Sequence, residues 1–122
     1  MEVLMAKMTR KEIDVAELHD AFTILEIAES EHAGFFKKGE GAKALEEGQT
    51  EIGGKLPINA SGGLKARGHA LGGTGVAQVA ELVWQLRGEA DKRQVKGAEK
   101  GFSLNFGGFG NNVLAFVLRR EA

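Results

Sequence analysis

Residues 56–75 of the 122-residue chain read LPINASGGLKARGHALGGTG. This stretch holds the only proline, six of the 18 glycines and one of the three histidines of the sequence. Glycines at this density are used where the backbone needs positive φ angles or where another group approaches closely. An apolar helical pattern follows directly, so we expect His69 in a loop at the start of a helix, where a histidine can carry a proton near neutral pH.

The composition narrows the class of protein. A length of 122 residues with 43% hydrophobic and 27% charged residues is ordinary for one globular domain. The formal net charge of −1 favours neither a nucleic acid nor an anionic membrane as partner. With no cysteine, the chain has no disulfide, no thiolate metal site and no cysteine nucleophile of its own. No apolar run approaches the roughly 18 residues of a membrane span, and the N-terminus is too charged for a signal peptide, so we expect a cytoplasmic protein.

Helical and strand patterns alternate on either side of this stretch. The predicted helices cover residues 1–9, 21–29, 42–47 and 73–87, and the predicted strands cover residues 13–19, 100–106 and 113–118. Asp20 is expected to cap the helix over 21–29. The glycine- and asparagine-bearing turn over 107–112 is typical of a hairpin between the last two strands. This order predicts one α/β domain over 1–122, a mixed sheet with helices packed on it.

Two apolar patterns support the predicted helix over 73–87 and the predicted strand over 113–118. The helix over 73–87 has an apolar stripe, with its polar residues Gln78, Glu81 and Gln85 off it; the stripe consists of Val76, Val79, Ala80, Val83 and Leu86. A stripe at this spacing is typical of an amphipathic helix. Residues 113–118, VLAFVL, form a continuous apolar run, which is typical of a strand covered on both faces.

Three loop positions are candidates for chemistry: His19, His69 and the turn over residues 105–110. Each adjoins a predicted helix or strand, and the sheet can bring all three to one edge. Free N–H groups at the helix start after His69 favour an anion and a neutral imidazole, the form that accepts a proton. Each histidine taken alone also fits a structural or solvated role. His32, at the end of a helix, is explained by the helix dipole and is assigned no function.

Four blocks of the sequence resemble the C-terminal half of a thiolase of the archaeal and sterol-carrier-protein types, over about residues 11–120. Residues 17–22, ELHDAF, resemble the His-Asp-Cys-Phe or Asn-Glu-Ala-Phe block of that family. Residues 59–75 resemble its Asn-Pro-Ser-Gly-Gly … Gly-His-Pro-x-Gly-Ala-Thr-Gly block. Residues 104–110, LNFGGFG, stand where many thiolases have Cys-x-Gly-Gly-Gly, and residues 78–93 fit the helix and turn that follow the second block. The resemblance implies a thiolase-like half-domain whose N-terminal strand is missing.

This resemblance implies an activity and a role for particular residues. Thiolases join or cleave acyl-CoA thioesters by Claisen chemistry: a cysteine takes up the acyl group, and an acetyl-CoA carbanion then attacks it. His69 is implied to activate that cysteine and to help bind the thioester oxygen, and His19 to complete the same oxyanion hole. The backbone N–H of Gly107 is implied to contribute to a second oxyanion hole. Asn105 replaces the second cysteine of many members, and an asparagine can orient a group but cannot transfer a proton.

The glycine-rich stretch is the expected binding region for the CoA thioester, which is a substrate and not a resident cofactor. The residues expected to contact it are Ser61, Gly62, Gly63 and Gly68. Lys65 and Arg67 beside them either meet the CoA phosphates or are solvated loop charges. No metal site is expected, because distant histidines without cysteine do not match zinc spacing.

The sequence differs from the family at the cysteine positions that carry out the reaction. The nucleophilic cysteine belongs to the N-terminal half of the family, and Ala21 replaces the alternative cysteine of His-Asp-Cys-Phe. Four interpretations stay open: one chain of a split thiolase, a non-catalytic thiolase-like binding or scaffold subunit, a fragment of a longer enzyme, and an unrelated anion-binding α/β protein. A sheet that normally shares a partner leaves apolar surface uncovered. We therefore expect a homo- or hetero-oligomer, with a thiolase N-terminal-half chain and acyl-CoA as partners.

Overall fold

The computed structural model describes residues 8–121. In these residues the α-helices are α1 (Thr23–His32), α2 (Gly41–Glu46), α3 (Gly63–Arg67) and α4 (Thr74–Arg87), and the strands are β1 (Val15–Glu17), β2 (Lys100–Gly107) and β3 (Asn112–Arg119). Short 3₁₀ turns lie at Arg10–Glu12 and Asp91–Arg93. The helix predicted over 1–9 lies almost entirely outside the described residues. None of the helices described has both the length and the apolar character needed to cross a membrane.

The strands form a mixed sheet in the order β1-β2-β3. β1 and β2 are parallel, with Val15 opposite Gly101, and β2 and β3 are antiparallel. An isolated parallel bridge joins Ala16 to Ile58, so the segment that leads into the glycine-rich stretch runs beside β1. The predicted α/β class with a mixed sheet is confirmed, and the helix and strand bounds outside 1–9 agree with the predicted ones to within three residues.

Both faces of β1 and β2 are covered. Val15 lies in a buried cluster with Leu82 and Leu86 of α4. Ala16, the next residue, lies in a second buried cluster that contains Phe102 of β2 and residues from the α1–α2 region. Successive residues of a strand point to opposite faces of the sheet, so α4 covers one face and the α1–α2 region covers the other.

The buried face of α4 carries the polar side chains Gln78, Glu81 and Gln85 beside Leu82 and Leu86, and most of the apolar stripe lies outside it. Gln78 is 0% exposed and Val76 is 69% exposed. Val79, Ala80 and Val83 are only half-buried, and Leu86 alone of the stripe is buried. The polar side chains are tolerated inside because they find partners there: Gln78 Nε2 donates to the Leu104 carbonyl at 3.0 Å, Gln85 Oε1 accepts from the Val95 N–H at 2.8 Å, and Glu81 pairs with Arg93 at 2.9 Å.

β3 is an edge strand, and the prediction that it is covered on both faces is wrong. It pairs only with β2 among the described strands, and Leu114 and Phe116 are 53% and 48% exposed. Val76 and Val79 of α4 line the same cavity as these two residues. We call these four side chains the apolar wall. Leu114 and Phe116 were expected in a covered strand because a hydrophobic pattern does not show what covers it.

Asp20 does not cap α1, which begins at Thr23 after Phe22 without a side-chain cap. Instead, Asp20 Oδ1 accepts a hydrogen bond of 2.7 Å from the Leu64 N–H, at the start of the short helix α3, which the sequence did not predict. Gly63 has a φ of 63°, and a Cβ at this position would lie 2.2 Å from Asp20 Oδ2. The second glycine of the Ser-Gly-Gly run is therefore required by the approach of the Asp20 carboxylate.

Candidate active site

Two predicted site histidines meet at one end of the sheet. His19 follows β1, and His69 lies in the loop between α3 and α4, as expected. Their ring centroids are 5.0 Å apart with an interplanar angle of 87°, and the Phe106 ring lies 4.4 Å from His19. Asn105, near the end of β2, contacts His19 directly. The structure thus brings together the three separate loop positions that the sequence singled out.

The hydrogen bonds of His69 fix its tautomer. Its Nδ1 lies 2.7 Å from Thr74 Oγ1, and the Thr74 hydroxyl donates to the Ala70 carbonyl at 3.2 Å. Because the hydroxyl has one hydrogen and uses it on the carbonyl, its oxygen accepts from His69 and the ring hydrogen is on Nδ1. Nε2 of His69 therefore has a free lone pair, and no hydrogen-bond partner for it is found within residues 8–121.

Hydrogen bonds hold both the side chain and the backbone of His19. Nδ1 lies 2.5 Å from Asn105 Oδ1, and the backbone N–H donates to Glu29 Oε2 at 2.7 Å. The residue is 3% exposed. Burial lowers the pKa of the His19 imidazole, the hydrogen bond to Asn105 acts in the opposite direction, and His69 nearby lowers it further. Neutral imidazole is therefore the favoured form at physiological pH.

The two histidines line a cavity of about 1040 Å³. Its other walls are the loop before α4, the end of β2 and the apolar wall, and they include Asn105, Gly107 and Thr74. The predicted site residues His19, His69, Asn105 and Gly107 thus share one cavity. A largely apolar cavity of this size with few polar groups suits a small organic substrate or part of a larger one.

The predicted CoA-binding residues do not line that cavity. Gly62 and Gly63 begin α3 and Gly68 ends it, and Ser61 precedes it. The Ser61 hydroxyl donates to Glu17 Oε2 at 2.6 Å, and its oxygen accepts from the Gly63 N–H at 3.1 Å. The Ser61 side chain is therefore occupied by contacts within the chain, and a role of these four residues in CoA binding stays a prediction.

Arg67 is neither a solvated loop charge nor free to meet a phosphate through Nη1. It donates from Nη1 to Ser61 Oγ at 2.6 Å and lies 3.4 Å from Glu17 Oε2, while Lys65 is exposed. Glu17 is fully buried; burial raises the pKa of its carboxyl, and the bonds from Ser61 and the charge of Arg67 act against that rise. Glu17 precedes His19 by two residues and Arg67 precedes His69 by two, so this ion pair ties together the segments that carry the two histidines.

Two buried carboxylates beside the histidines, Glu17 and Glu29, were not predicted from the sequence. Burial raises the pKa of the Glu29 carboxyl to about 8, and its Oε1 is buried without a hydrogen-bond partner among the described residues. A signal was available for Glu17, which lies in a strand between apolar neighbours and so requires a buried partner. Across residues 8–121, no group of three or more His, Asp or Glu side chains is arranged to hold a metal ion.

Comparison with known proteins identifies the family. Residues 3–120 match the family described as thiolase C-terminal domain-like. The chain therefore belongs to the thiolase C-terminal domain family, as the four sequence blocks indicated.

Individual relatives agree with this assignment. The chain is 56% identical over 116 residues to an acetyl-CoA acetyltransferase of Methanothermobacter thermautotrophicus, a match that covers 95% of this chain and 30% of the relative. It is 51% identical over 100 residues to sterol carrier protein 2 of Homo sapiens, covering 82% of this chain and 18% of that protein. In the solved structure of an Ltp2-ChsH2(DUF35) aldolase, one chain superposes with a TM-score of 0.69 at 31% identity, covering 80% of this chain and 24% of that one. The chain thus spans less than a third of the length of these relatives.

Proposed function

We propose that this chain supplies the histidine side of a thiolase-type active site, which transfers acyl groups between CoA thioesters by Claisen condensation or thiolysis. The nucleophilic cysteine then lies on a segment outside these 122 residues. The observation that carries the proposal is the pair of histidines, brought from two family-like blocks to one cavity, with Nε2 of each ring lacking a hydrogen-bond partner within residues 8–121.

His69 has the form required to activate a thiol. Its Nδ1 hydrogen is engaged by Thr74, so its Nε2 accepts the proton of a cysteine placed in the cavity. The resulting thiolate attacks the thioester carbonyl, and the CoA thiolate departs. The imidazolium formed on His69 donates a hydrogen bond to the oxyanion and then gives its proton to the departing CoA thiolate, which leaves as the thiol. The backbone N–H of Gly107, in the cavity wall, is the proposed second oxyanion donor.

The apolar wall is the proposed contact surface for the cysteine-bearing segment. Val76, Val79, Leu114 and Phe116 stand beside the histidines and are exposed or half-buried. A segment that covers them excludes water from the cavity and places its own cysteine near His69. Acyl-CoA is the proposed substrate, and the proposed assembly is a complex with that segment or a larger oligomer.

A non-catalytic role as a thiolase-like binding subunit is the second candidate. It is favoured by the absence of cysteine from the chain and by asparagine at position 105. In that case the same apolar wall binds a partner without completing a reaction site.

Reconstitution distinguishes these candidates. The chain is coexpressed with, or joined by a flexible linker to, the part of the Methanothermobacter thermautotrophicus acetyl-CoA acetyltransferase outside the matched 30%. Cleavage of acetoacetyl-CoA by CoA is then followed. We expect a stable, active complex, and we expect His69→Ala to lower the rate by about 10²–10⁴-fold.

His32→Ala is the matched control, because His32 is exposed and bonds only the Ala28 carbonyl at 2.7 Å among the described residues. Its rate should equal that of the unmodified complex. A stable complex without activity would support the binding subunit, and an active complex that is indifferent to His69→Ala would exclude the proposed role of His69.

A further inference from the structure

Asn105 fixes the position of the hydrogen on His19. The amide oxygen of Asn105 faces Nδ1 of His19, while its amide nitrogen lies toward Gly75, where a Cβ would be only 2.9 Å from Nδ2. An amide oxygen only accepts, so Nδ1 of His19 carries the ring hydrogen. In neutral His19 the other nitrogen, Nε2, then has a lone pair and cannot donate to an oxyanion.

We propose that Asn105 holds His19 in the tautomer protonated on Nδ1, and that Nε2 of His19 is the base that takes a proton from the α-carbon of the acyl-CoA nucleophile. This inference rests on the proposed thiolase-type function. It assigns His19 a different role from the oxyanion donor implied by family resemblance, and it makes Asn105 a positioning residue.

The cavity leaves few alternatives for that base. Among the described residues that line it, those with a side chain able to accept a proton near neutral pH are His19 and His69. His69 is already assigned to accept the proton of the cysteine thiol. Position 105 holds an asparagine and position 21 an alanine, so neither side chain can remove a proton. Among the described residues of the cavity, His19 is then the base available for the α-carbon proton.

The proton and electron balance closes within the site. The C–H bond at the α-carbon breaks, its proton moves to His19 Nε2, and its electron pair forms the enolate. The α-carbon then attacks the acyl-cysteine carbonyl, a C–C bond forms, and the cysteine thiolate departs. The proton held by His19 restores the cysteine thiol, so no external acid, oxidant or reductant is consumed.

The surroundings of His19 suit a neutral base. Burial and His69 lower the pKa of its imidazole, and the charge of Arg67 acts in the same direction, whereas Asn105 and Asp20 raise it. Glu29 accepts from its backbone N–H. A base in this setting is unprotonated at neutral pH and ready to accept.

Two half-reactions of the reconstituted complex separate the two histidine roles. Exchange of labelled CoA into acetyl-CoA needs the cysteine and His69 but no α-proton removal. Loss of α-hydrogen from acetyl-CoA in D₂O needs the base as well. For His19→Asn, we expect the ratio of α-hydrogen exchange to CoA exchange to fall by about 100-fold or more. His32→Asn should leave both rates unchanged, and a ratio within about threefold of the unmodified complex for His19→Asn would overturn the assignment of the base.

The role of Asn105 has a readout that does not depend on activity. Imidazole ¹⁵N chemical shifts of the chain should show His19 protonated on Nδ1, and Asn105→Leu should shift the ring toward the Nε2–H tautomer. Asn105→Asp keeps an acceptor and adds a charge, so the acidic limb of the α-hydrogen exchange profile should move to higher pH. Protonation of His19 on Nε2 in the unmodified chain would overturn the tautomer. Absence of CoA exchange in a folded complex would instead overturn the proposed function, and the assignment of the base with it.

Discussion

Glu29→Gln tests the buried carboxyl that supports the backbone of His19. Glu29 Oε2 accepts from the His19 N–H at 2.7 Å, and Oε1 is buried without a hydrogen-bond partner among the described residues. Burial raises the pKa of this carboxyl from 4.5 to about 8, outweighing the opposite effect of the hydrogen bond. The folded chain therefore holds Glu29 protonated at neutral pH, whereas the unfolded chain has it ionised.

The sign of the pH dependence follows from the higher pKa in the folded state. The stability associated with the protonated carboxyl is complete below about pH 4.5 and is lost as the pH rises towards about 8. Each pH unit between these values costs about 1.4 kcal/mol of unfolding free energy. At about pH 7.5, three units above the unfolded pKa, the loss is about 4 kcal/mol.

The amide of Glu29→Gln stays neutral at every pH and can accept the same hydrogen bond from His19. The difference in unfolding free energy between this variant and the unmodified chain should grow by about 3 kcal/mol in favour of the variant as the pH rises from about 5 to about 7.5. Urea unfolding at several pH values measures this difference, in which the contributions of other titrating groups cancel. Glu46→Gln, an exposed carboxylate on α2, is the control and should show no such gain. Parallel pH profiles for the Glu29→Gln variant and the unmodified chain would refute the argument.

Three further substitutions test the packing described above. Gly63→Ala should lower the unfolding free energy by about 2 kcal/mol more than Gly39→Ala, because both have positive φ but only Gly63 faces the Asp20 carboxylate; equal losses in urea unfolding would contradict the close contact. Leu82→Ala should cost about 2–5 kcal/mol, since Leu82 is fully buried between α4 and the sheet, and a loss below about 1 kcal/mol would place it outside the core. Phe116→Gln should change the unfolding free energy by less than about 0.5 kcal/mol yet weaken binding of the cysteine-bearing segment in calorimetry; unchanged binding would remove the apolar wall from the interface.

The helix and strand patterns were readable from the sequence because they depend on local periodicity. The direction in which α4 faces was not, since Gln78 and Gln85 are buried through hydrogen bonds to the Leu104 carbonyl and the Val95 N–H. These partners come from other parts of the fold and leave no local signature. The exposure of β3 has the same origin, because a continuous apolar run is equally typical of a strand that a partner covers.

The candidate site was predictable to the extent that motif residues carry it. His19, His69, Asn105 and Gly107 share one cavity, and their roles in it stay a prediction. The supporting ion pair between Glu17 and Arg67 was not predictable, because their proximity arises from the packing of the segment after β1 against α3. The same packing explains why Asp20 accepts a hydrogen bond from the Leu64 N–H in the first turn of α3 and does not cap α1.

The sequence separation within the site has a consequence for how the chain folds. His19 and Asn105 are 86 residues apart, and their contact depends on the parallel pairing of β1 with β2. Closing a loop of this length costs about 4 kcal/mol of chain entropy beyond a constant, so the pairing is expected to be a late event in folding. During synthesis on the ribosome, His19 and His69 therefore emerge well before the site can form. The histidine site assembles only once β2 has left the exit tunnel.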